Sequence, residues 1–233
     1  LAASGQRTMT VAPEAGSVKM RNIINKGITE EHVFNAIELA AAAGMKNIKL
    51  YYMLGLPGEA DSDIEEMIAM IGRVREKMDA ALNKGDLIIS VNGFIPKPFT
   101  PFQWSPLCDV KTLKRRFKML ETAFKKAKHI QVQTESLKET VLQAVLARGD
   151  RRIGAALLEA FHREMTLKQV LKEQGLYIEE LAAAAYEIGR PLPWQHLDMG
   201  FTEGCLPRAG LRTATRRCFD LCRRCGVCGE AQV

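Results

Sequence analysis

Four cysteines near the C-terminus have the clearest chemistry in this chain. They form a Cys-x3-Cys-x2-Cys-x2-Cys run made of Cys218, Cys222, Cys225 and Cys228. Four thiolates at this spacing suit a tetrahedral Zn²⁺ ion or a [4Fe–4S] cluster. The two- and three-residue gaps favour a cluster somewhat, because ferredoxin runs also use them. Free structural cysteines are the plain alternative.

The surroundings of these cysteines indicate a reducing compartment. No secretory signal is found at the N-terminus, so we expect a cytoplasmic protein without disulfides. Arg223 and Arg224 would offset the negative charge of the thiolates. Cys205 is a possible substitute for one of the four ligands, whereas Cys108 is interpreted as a small apolar residue.

Polar and glycine-rich segments follow three predicted strands. The first contains Glu14 and Ser17 and leads to Arg21, the second is Gly-Leu-Pro-Gly-Glu at 55–59, and the third covers 92–104. A Gly-Pro turn after a strand is most often only a turn, and Glu14 could simply cap a helix. Three such segments, each after a strand, are more typical of a ligand site.

The elements that would position these segments alternate between strand and helix. Strands are predicted at 7–12, 47–54 and 86–92, the first of them stopped by a proline, with helices at 29–44 and 61–82. Thr29 is the predicted N-cap of the first helix, and Gly44 is its predicted C-cap. This alternation indicates right-handed βαβ units and a parallel sheet, in which the middle strand is covered on both faces. The carboxyl ends of parallel strands meet at one edge, where ligands bind. We therefore expect the three segments to lie together there.

The pattern changes after the third strand. A proline-rich loop at 93–106 leads to a helix near 110–128, a short strand at 130–133 and mainly helices to about residue 186. From residue 189 onward the chain is rich in Gly, Pro and Arg, and it shows little periodicity. The sequence predicts three domains: a βα region at 1–107, a mainly helical extension at 108–188 and an irregular basic tail at 189–233.

Composition excludes several classes of protein. The chain has 233 residues, of which 47% are hydrophobic and 26% charged, so disorder and collagen-like structure are excluded. No apolar run reaches the roughly 20 residues of a membrane span, and we expect no membrane partner. The net charge of +6 slightly favours anionic partners. The chain begins with Leu1 rather than Met, and we expect it to begin inside a larger protein.

Several segments of this sequence resemble the second half of a radical S-adenosylmethionine (radical SAM) domain. They are VAPEAGS at 11–17, IINKGIT at 23–29, KLYYMLGLPGE at 49–59 and FIPKPFTPFQW at 94–104. The nearest subgroup is the one that carries an N-terminal cobalamin-binding-type domain. Its C-terminal region is similar to LARGDRR at 146–152, LPW at 192–194 and CGVC at 225–228.

The resemblance implies an α/β fold, a partial (βα)6 radical SAM barrel represented by its last three βα units. A mainly helical C-terminal region and the Cys-rich tail follow. The family's Cys-x3-Cys-x2-Cys motif, which holds the catalytic [4Fe–4S] cluster, would lie upstream of Leu1. Cys218, Cys222 and Cys225 share its spacing but follow all the strands, so we expect them to hold an auxiliary Fe–S cluster or zinc instead.

The resemblance also implies where S-adenosylmethionine (SAM) binds. Its ribose and amino-acid parts would contact Glu14, Ser17 and Arg21, and its adenine would lie along the backbone of Gly55, Leu56 and Pro57, flanked by Asn92 and Ile95. The chain departs from the Gly-x-Ile-x-Gly-x-x-Glu pattern of other members, so the role of Glu59 stays open.

The implied activity is reductive cleavage of SAM to a 5′-deoxyadenosyl radical, which abstracts hydrogen from a substrate. The implied partner is the missing N-terminal half of the same protein, and the substrate is unknown, with RNA as one option. We expect the isolated chain to be inactive. The alternative is a nucleic-acid-binding module, in which the basic tail and a Cys-rich zinc or Fe–S ribbon grip phosphates. Both interpretations can hold together.

Overall fold

Four strands form one parallel sheet in the order β1–β2–β3–β4. In the computed structural model, which describes residues 2–81, 85–202 and 204–210, they are β1 (Thr8–Glu14), β2 (Asn47–Leu54), β3 (Leu87–Gly93) and β4 (Ile130–Thr134). The predicted parallel pairing of the first three strands is confirmed. The short strand predicted at 130–133 joins the same sheet beside β3. The total of six βα units stays a prediction.

Helices connect these strands, and three of them lie close to the predicted ranges, although the helix predicted near 110–128 ends at Phe124. The helices are α1 (Val18–Ile23), α2 (Glu30–Ala42), α3 (Asp61–Ala81) and α4 (Val110–Phe124), and a 3-10 turn (Ala2–Ser4) precedes β1. Thr29 caps α2 as predicted, because its hydroxyl accepts the backbone N–H of His32. After α2, Gly44 adopts φ +77°, the left-handed conformation that favours glycine.

The core of this part lies between one face of the sheet and the helices. Along β2, alternate residues are buried, with Ile48 and Leu50 fully covered. Helix α2 contacts β1 and helix α4 contacts β2, while α3 contributes Met67 and Ile71 to the buried set. The intervening residues of β2 are only half-buried in the described chain, which corrects the expectation that this strand is covered on both faces.

Strand β1 continues through Pro13, although the sequence predicts that this proline stops it. Pro13 has no N–H to donate to a ladder, so a paired position in a sheet interior would be unfavourable. The register with β2 shifts between Val11 and Glu14, and Pro13 lies within this irregularity. The shift allows the strand to extend to Glu14.

The described residues divide into two compact units. The first contains 2–81, 85–93 and 110–135, and the second contains 94–109, 136–202 and 204–210. The second unit holds α5 (Leu137–Arg148), α6 (Arg151–His162), α7 (Leu167–Glu173), α8 (Ile178–Ala183) and α9 (Cys205–Gly210). Helix α9 lies where the sequence predicts an irregular tail. The domain boundaries predicted at 107 and 188 stay predictions.

Buried hydrogen bonds join separate segments within the second unit. The Arg148 side chain is 1% exposed, and it donates to the carbonyl oxygens of Ala182 and Ala184. Its guanidinium also lies over the ring of Tyr186. The indole N–H of Trp194 donates to Gln103 at 2.8 Å. No helix within the described ranges is long and apolar enough to cross a membrane.

Substitution of Gly16 by Ala should destabilise the first unit. A Cβ at residue 16 would lie 2.2 Å from Cβ of Met67 and 2.6 Å from its Cα, so the backbone of α3 would have to move. We expect a loss of about 1–3 kcal/mol or more in the free energy of unfolding, measured by urea denaturation. The control is Gly72→Ala within α3, where nothing lies within 4 Å, and it should stabilise by about 0.5–1 kcal/mol. Equal stability of the two variants would contradict the described packing.

Candidate functional site

The carboxyl ends of the first three strands lie at one edge of the sheet. Glu14, at the end of β1, is in register with Tyr52 near the end of β2, and Leu54 is in register with Gly93. The segments that begin at Glu14 and Gly55 therefore start at the same edge, as the sequence predicts. The third segment continues from Gly93 into the second unit.

Glu14 presents a carboxylate at this edge from an uncommon backbone conformation. Its φ of +68° lies in the left-handed region, which few residues other than glycine adopt. Its carboxylate accepts a bond from the ammonium of Lys26 at 3.4 Å. Both side chains are about one-third exposed or less, at 27% for Glu14 and 32% for Lys26. An accessible pair of opposite charges thus marks the end of β1.

Ser17 holds the start of α1 rather than facing solvent. Its hydroxyl accepts the N–H of Met20 at 3.1 Å and donates to the Asp63 carboxylate at 2.7 Å. Asp63 also accepts bonds from Lys19 and from the backbone N–H of Ala60, each at 2.7 Å. Burial opposes ionisation of Asp63, but these hydrogen bonds hold its pKa below the usual value. The segment after β1 is thereby tied to the beginning of α3.

Arg21 is buried beneath the same segment, with 4% of its surface exposed. One terminal guanidinium nitrogen donates to the carbonyl oxygens of Ala15 and Gly16, at 3.1 and 2.7 Å. Burial lowers the pKa of Arg21, although its usual value is so high that the group stays charged. Arg21 therefore supports the turn directly, and part of its donor capacity remains for a ligand.

A cavity of about 420 Å³ lies beside this turn. Its walls come from α1, from the segment between α1 and α2, and from the first residue of α2. The lining residues with charge are Arg21, Lys26 and Glu30. Glu30 is already paired with Arg73, whose guanidinium donates two bonds to the Glu30 carboxylate. Arg21, together with Lys26, which is shared with Glu14 at 3.4 Å, makes the cavity suitable for a small carboxylate.

The segment at 55–59 forms a tight turn closed by a buried carboxylate. Gly55 has φ +89°, which requires glycine or strains another residue. Its N–H donates to Oε2 of Glu59 at 2.6 Å, and the N–H of Glu59 donates to the carbonyl of Leu56 at 3.0 Å. Leu56 is buried, whereas Pro57 is half-buried. The turn therefore has a defined backbone.

The Glu59 carboxylate also receives a buried cation from α4. Arg116 donates to Oε2 of Glu59 at 2.8 Å, and the exposed fractions of the two side chains are 7% and 1%. Burial raises the pKa of Glu59 to about 7, and the bonds from Gly55 and Arg116 oppose this rise only in part. The turn thus contains a carboxyl that titrates near neutral pH.

The other predicted site residues are not shown to contact the cavity or the turn at 55–59. Asn92 is exposed on β3, in register with Met53. Ile95 is half-buried and belongs to the second unit. Cys218, Cys222, Cys225 and Cys228 lie outside the described residues, so their predicted convergence on a metal stays a prediction. Within the described ranges no group of three or more His, Cys, Asp or Glu side chains could hold a metal ion.

Three residues at this edge have functions that the sequence does not predict. Lys26 lies in the Asn-Lys-Gly segment at 25–27, and its place between Asn25 and Gly27, two residue types that favour turns, is the one local signal. Asp63 and Arg116 make contacts with residues about 45 and 57 positions away in the chain. No spacing within one helix or loop indicates such long-range partners.

Comparisons with known proteins identify the part of the chain that carries this edge. The family model for the Radical SAM superfamily matches residues 1–71. This segment is therefore similar to the Radical SAM superfamily. It covers β1, α1, α2, β2 and the first half of α3, and so includes the cavity and the turn at 55–59.

A curated relative matches a longer part of the chain than the family model does. Over 151 residues the chain is 40% identical to an uncharacterized protein of Methanocaldococcus jannaschii, covering 65% of this chain and 32% of that protein. The chain thus spans about a third of the length of the curated relative it matches. No solved structure matches the chain. Membership of the cobalamin-binding subgroup stays a prediction.

Substitution of Glu59 by Gln should change how stability depends on pH. Between its ordinary pKa of 4.5 and the folded value of about 7, the folded chain retains a proton that the unfolded chain has released. This contribution to stability is therefore full below pH 4.5 and is lost as pH rises to 7, by about 1.4 kcal/mol for each pH unit. Urea denaturation at several pH values should show a smaller loss in the Glu59→Gln variant. Parallel pH profiles for the two proteins would contradict the raised pKa.

Proposed function

We propose that the first unit binds SAM at the carboxyl edge of its sheet, as part of a longer radical SAM enzyme. The observation that supports this most is the convergence of two features on that edge. One is the Glu14–Lys26 pair beside the cavity lined by Arg21, and the other is the glycine turn at 55–59. Parallel βα folds bind ligands at this edge.

The charged groups fit the amino-acid part of SAM. This part is a zwitterion, with a carboxylate and an ammonium on the same carbon. Lys26 and the donor capacity left on Arg21 suit the carboxylate, while Glu14 suits the ammonium or the ribose hydroxyls. Lys26 is the more accessible cation, since Arg21 is almost fully buried and already donates to two carbonyls. We assign the main carboxylate contact to Lys26.

The turn at 55–59 fits the adenine. Gly55 lacks a side chain, so a flat ring can approach its backbone closely. The Leu56 side chain is buried and Pro57 is rigid, so the ring would meet a fixed surface. Asn92 is exposed on the neighbouring strand and offers amide donors and acceptors at the same edge. These residues bind and orient the nucleoside without reacting.

The radical chemistry needs groups that the described residues do not supply. When SAM is bound and reductively cleaved, it supplies a 5′-deoxyadenosyl radical for hydrogen abstraction. The described residues contain no site for a catalytic [4Fe–4S] cluster, and Cys108 is the first cysteine of the sequence. We therefore assign binding and orientation of SAM to this chain, and we place the cluster ligands elsewhere in the longer protein.

Substitution of Lys26 by Ala should weaken SAM binding selectively. A charge-assisted bond to a carboxylate contributes about 1.5–3 kcal/mol, so we expect a loss of affinity of about tenfold or more. Isothermal titration of the purified chain with SAM and with 5′-methylthioadenosine checks this. Methylthioadenosine lacks the amino-acid part, so its affinity should not change.

The matched control is Lys77→Ala, which removes a lysine that pairs with Glu38 between α3 and α2. Its affinity for both ligands should equal that of the unsubstituted chain. An equal loss for both ligands in the Lys26→Ala variant would contradict a contact with the carboxylate. Absence of SAM binding by the unsubstituted chain would contradict the proposed function itself.

The isolated chain should not cleave SAM. After anaerobic reconstitution with iron and sulfide, and with dithionite as reductant, chromatography should detect no 5′-deoxyadenosine. A brown colour that is lost in the Cys225→Ala variant would indicate a cluster held by the tail. Formation of 5′-deoxyadenosine would contradict the expectation and would make the tail cysteines catalytic ligands.

A further inference from the structure

Arg116 joins helix α4 to the turn at 55–59 through several hydrogen bonds. One terminal nitrogen donates to Oε2 of Glu59 at 2.8 Å, and the other donates to the backbone carbonyl of the same residue at 2.7 Å. Its Nε lies 3.3 Å from Oδ1 of Asp61. The planar guanidinium therefore holds both the side chain and the backbone of Glu59, together with the start of α3.

The Glu59 carboxylate links Arg116 to the backbone of Gly55. The oxygen that receives Arg116 is the same Oε2 that accepts the Gly55 N–H at 2.6 Å. Because the Glu59 side chain is 1% exposed, water cannot readily replace a lost partner. If Arg116 were removed, Glu59 would be left as a buried carboxylate without its cation, and it would have to shift or take up a proton. A shift would break its bond to Gly55, and protonation would weaken that bond, because a neutral carboxyl is a poorer acceptor than a carboxylate.

We propose that Arg116 is a positioning residue for SAM, acting through Glu59 to fix the backbone of Gly55 where the adenine binds. This inference rests on the proposed function, and it adds a residue from a helix that lies outside the segment matched by the family model. Arg116 itself touches no ligand in this proposal. Its effect is to keep the turn in its binding conformation before SAM arrives, which lowers the ordering cost of binding.

The neighbouring Arg115 provides a matched control on the same helix. Its guanidinium pairs with Asp61, and its side chain is 51% exposed. An exposed ion pair contributes little to stability. Arg115→Gln therefore removes the same charge from α4 while leaving the turn at 55–59 intact.

The test compares Arg116→Gln, Arg116→Lys and Arg115→Gln at pH 8, where Glu59 is ionised. Titration calorimetry measures the affinity for SAM and for 5′-methylthioadenosine, and NMR measures hydrogen exchange of the Gly55 amide. For Arg116→Gln we expect Gly55 to exchange at least about tenfold faster, and both ligands to bind about tenfold more weakly. Both ligands should be affected equally because they share the adenine. For Arg116→Lys we expect an exchange rate and affinities between those of Arg116→Gln and the unsubstituted chain, since an ammonium cannot span all three acceptors.

The outcomes separate this inference from the proposed function. Faster exchange of Gly55 with unchanged affinities would overturn the positioning role while SAM binding stands. Unchanged exchange in Arg116→Gln would overturn it as well. Absence of binding of either ligand to the unsubstituted chain would overturn both proposals. If Arg116→Gln does not fold, the Glu59→Gln variant replaces it, because this substitution keeps the volume of the side chain. Hydrogen exchange of Gly55 and the affinities for both ligands, measured on Glu59→Gln, then decide whether the positioning role stands.

Discussion

Parallel pairing of β2 with both β1 and β3 is the constraint on which the candidate site depends. Neighbouring parallel strands run in the same direction, so the residues that follow them emerge at one edge. The observed register brings the end of β1 level with the end of β2, and Leu54 level with Gly93. A sheet with one reversed strand would place Glu14 and Gly55 at opposite ends. The alternating burial of β2 fixes the register further, because a shift by one residue would turn its buried side chains away from the helices.

Two carboxylates near the start of α3 hold the loops at this edge of the sheet in place. Asp63 accepts bonds from Ser17 and Lys19 in the segment after β1, while Glu59 closes the segment after β2 and binds Arg116 of α4. Each carboxylate is buried, so its ionised form depends on the donors around it. These donors are the same groups that hold the loops. Loop shape and charge balance are therefore set together, and a ligand at this edge meets a backbone that is already ordered.

The sequence predicts the elements of this fold better than the contacts between them. Thr29, Gly44 and the strands carry local signals, and the structure confirms them, because capping and strand patterns depend on residues close in the chain. The prediction that Pro13 ends β1 is wrong, since a register shift accommodates this proline within the strand. The grouping of Glu14 and Gly55 follows from topology and is also predictable. The pairing of Glu14 with Lys26 and of Glu59 with Arg116 is not, because it depends on packing between elements that no local pattern encodes.

The distance along the chain between paired strands also bears on how the protein folds. Each strand pairs with a partner roughly 40 residues away, and no hairpin joins any of the four. Such non-local pairing requires large loops to close before stabilising contacts form, which slows folding. During synthesis, β1 emerges well before β2, so the pairing of these two strands must wait until the crossover helix and β2 have left the ribosome. The carboxyl edge of the sheet is therefore expected to form late in folding, and a peptide that contains one strand and its loop would not reproduce it.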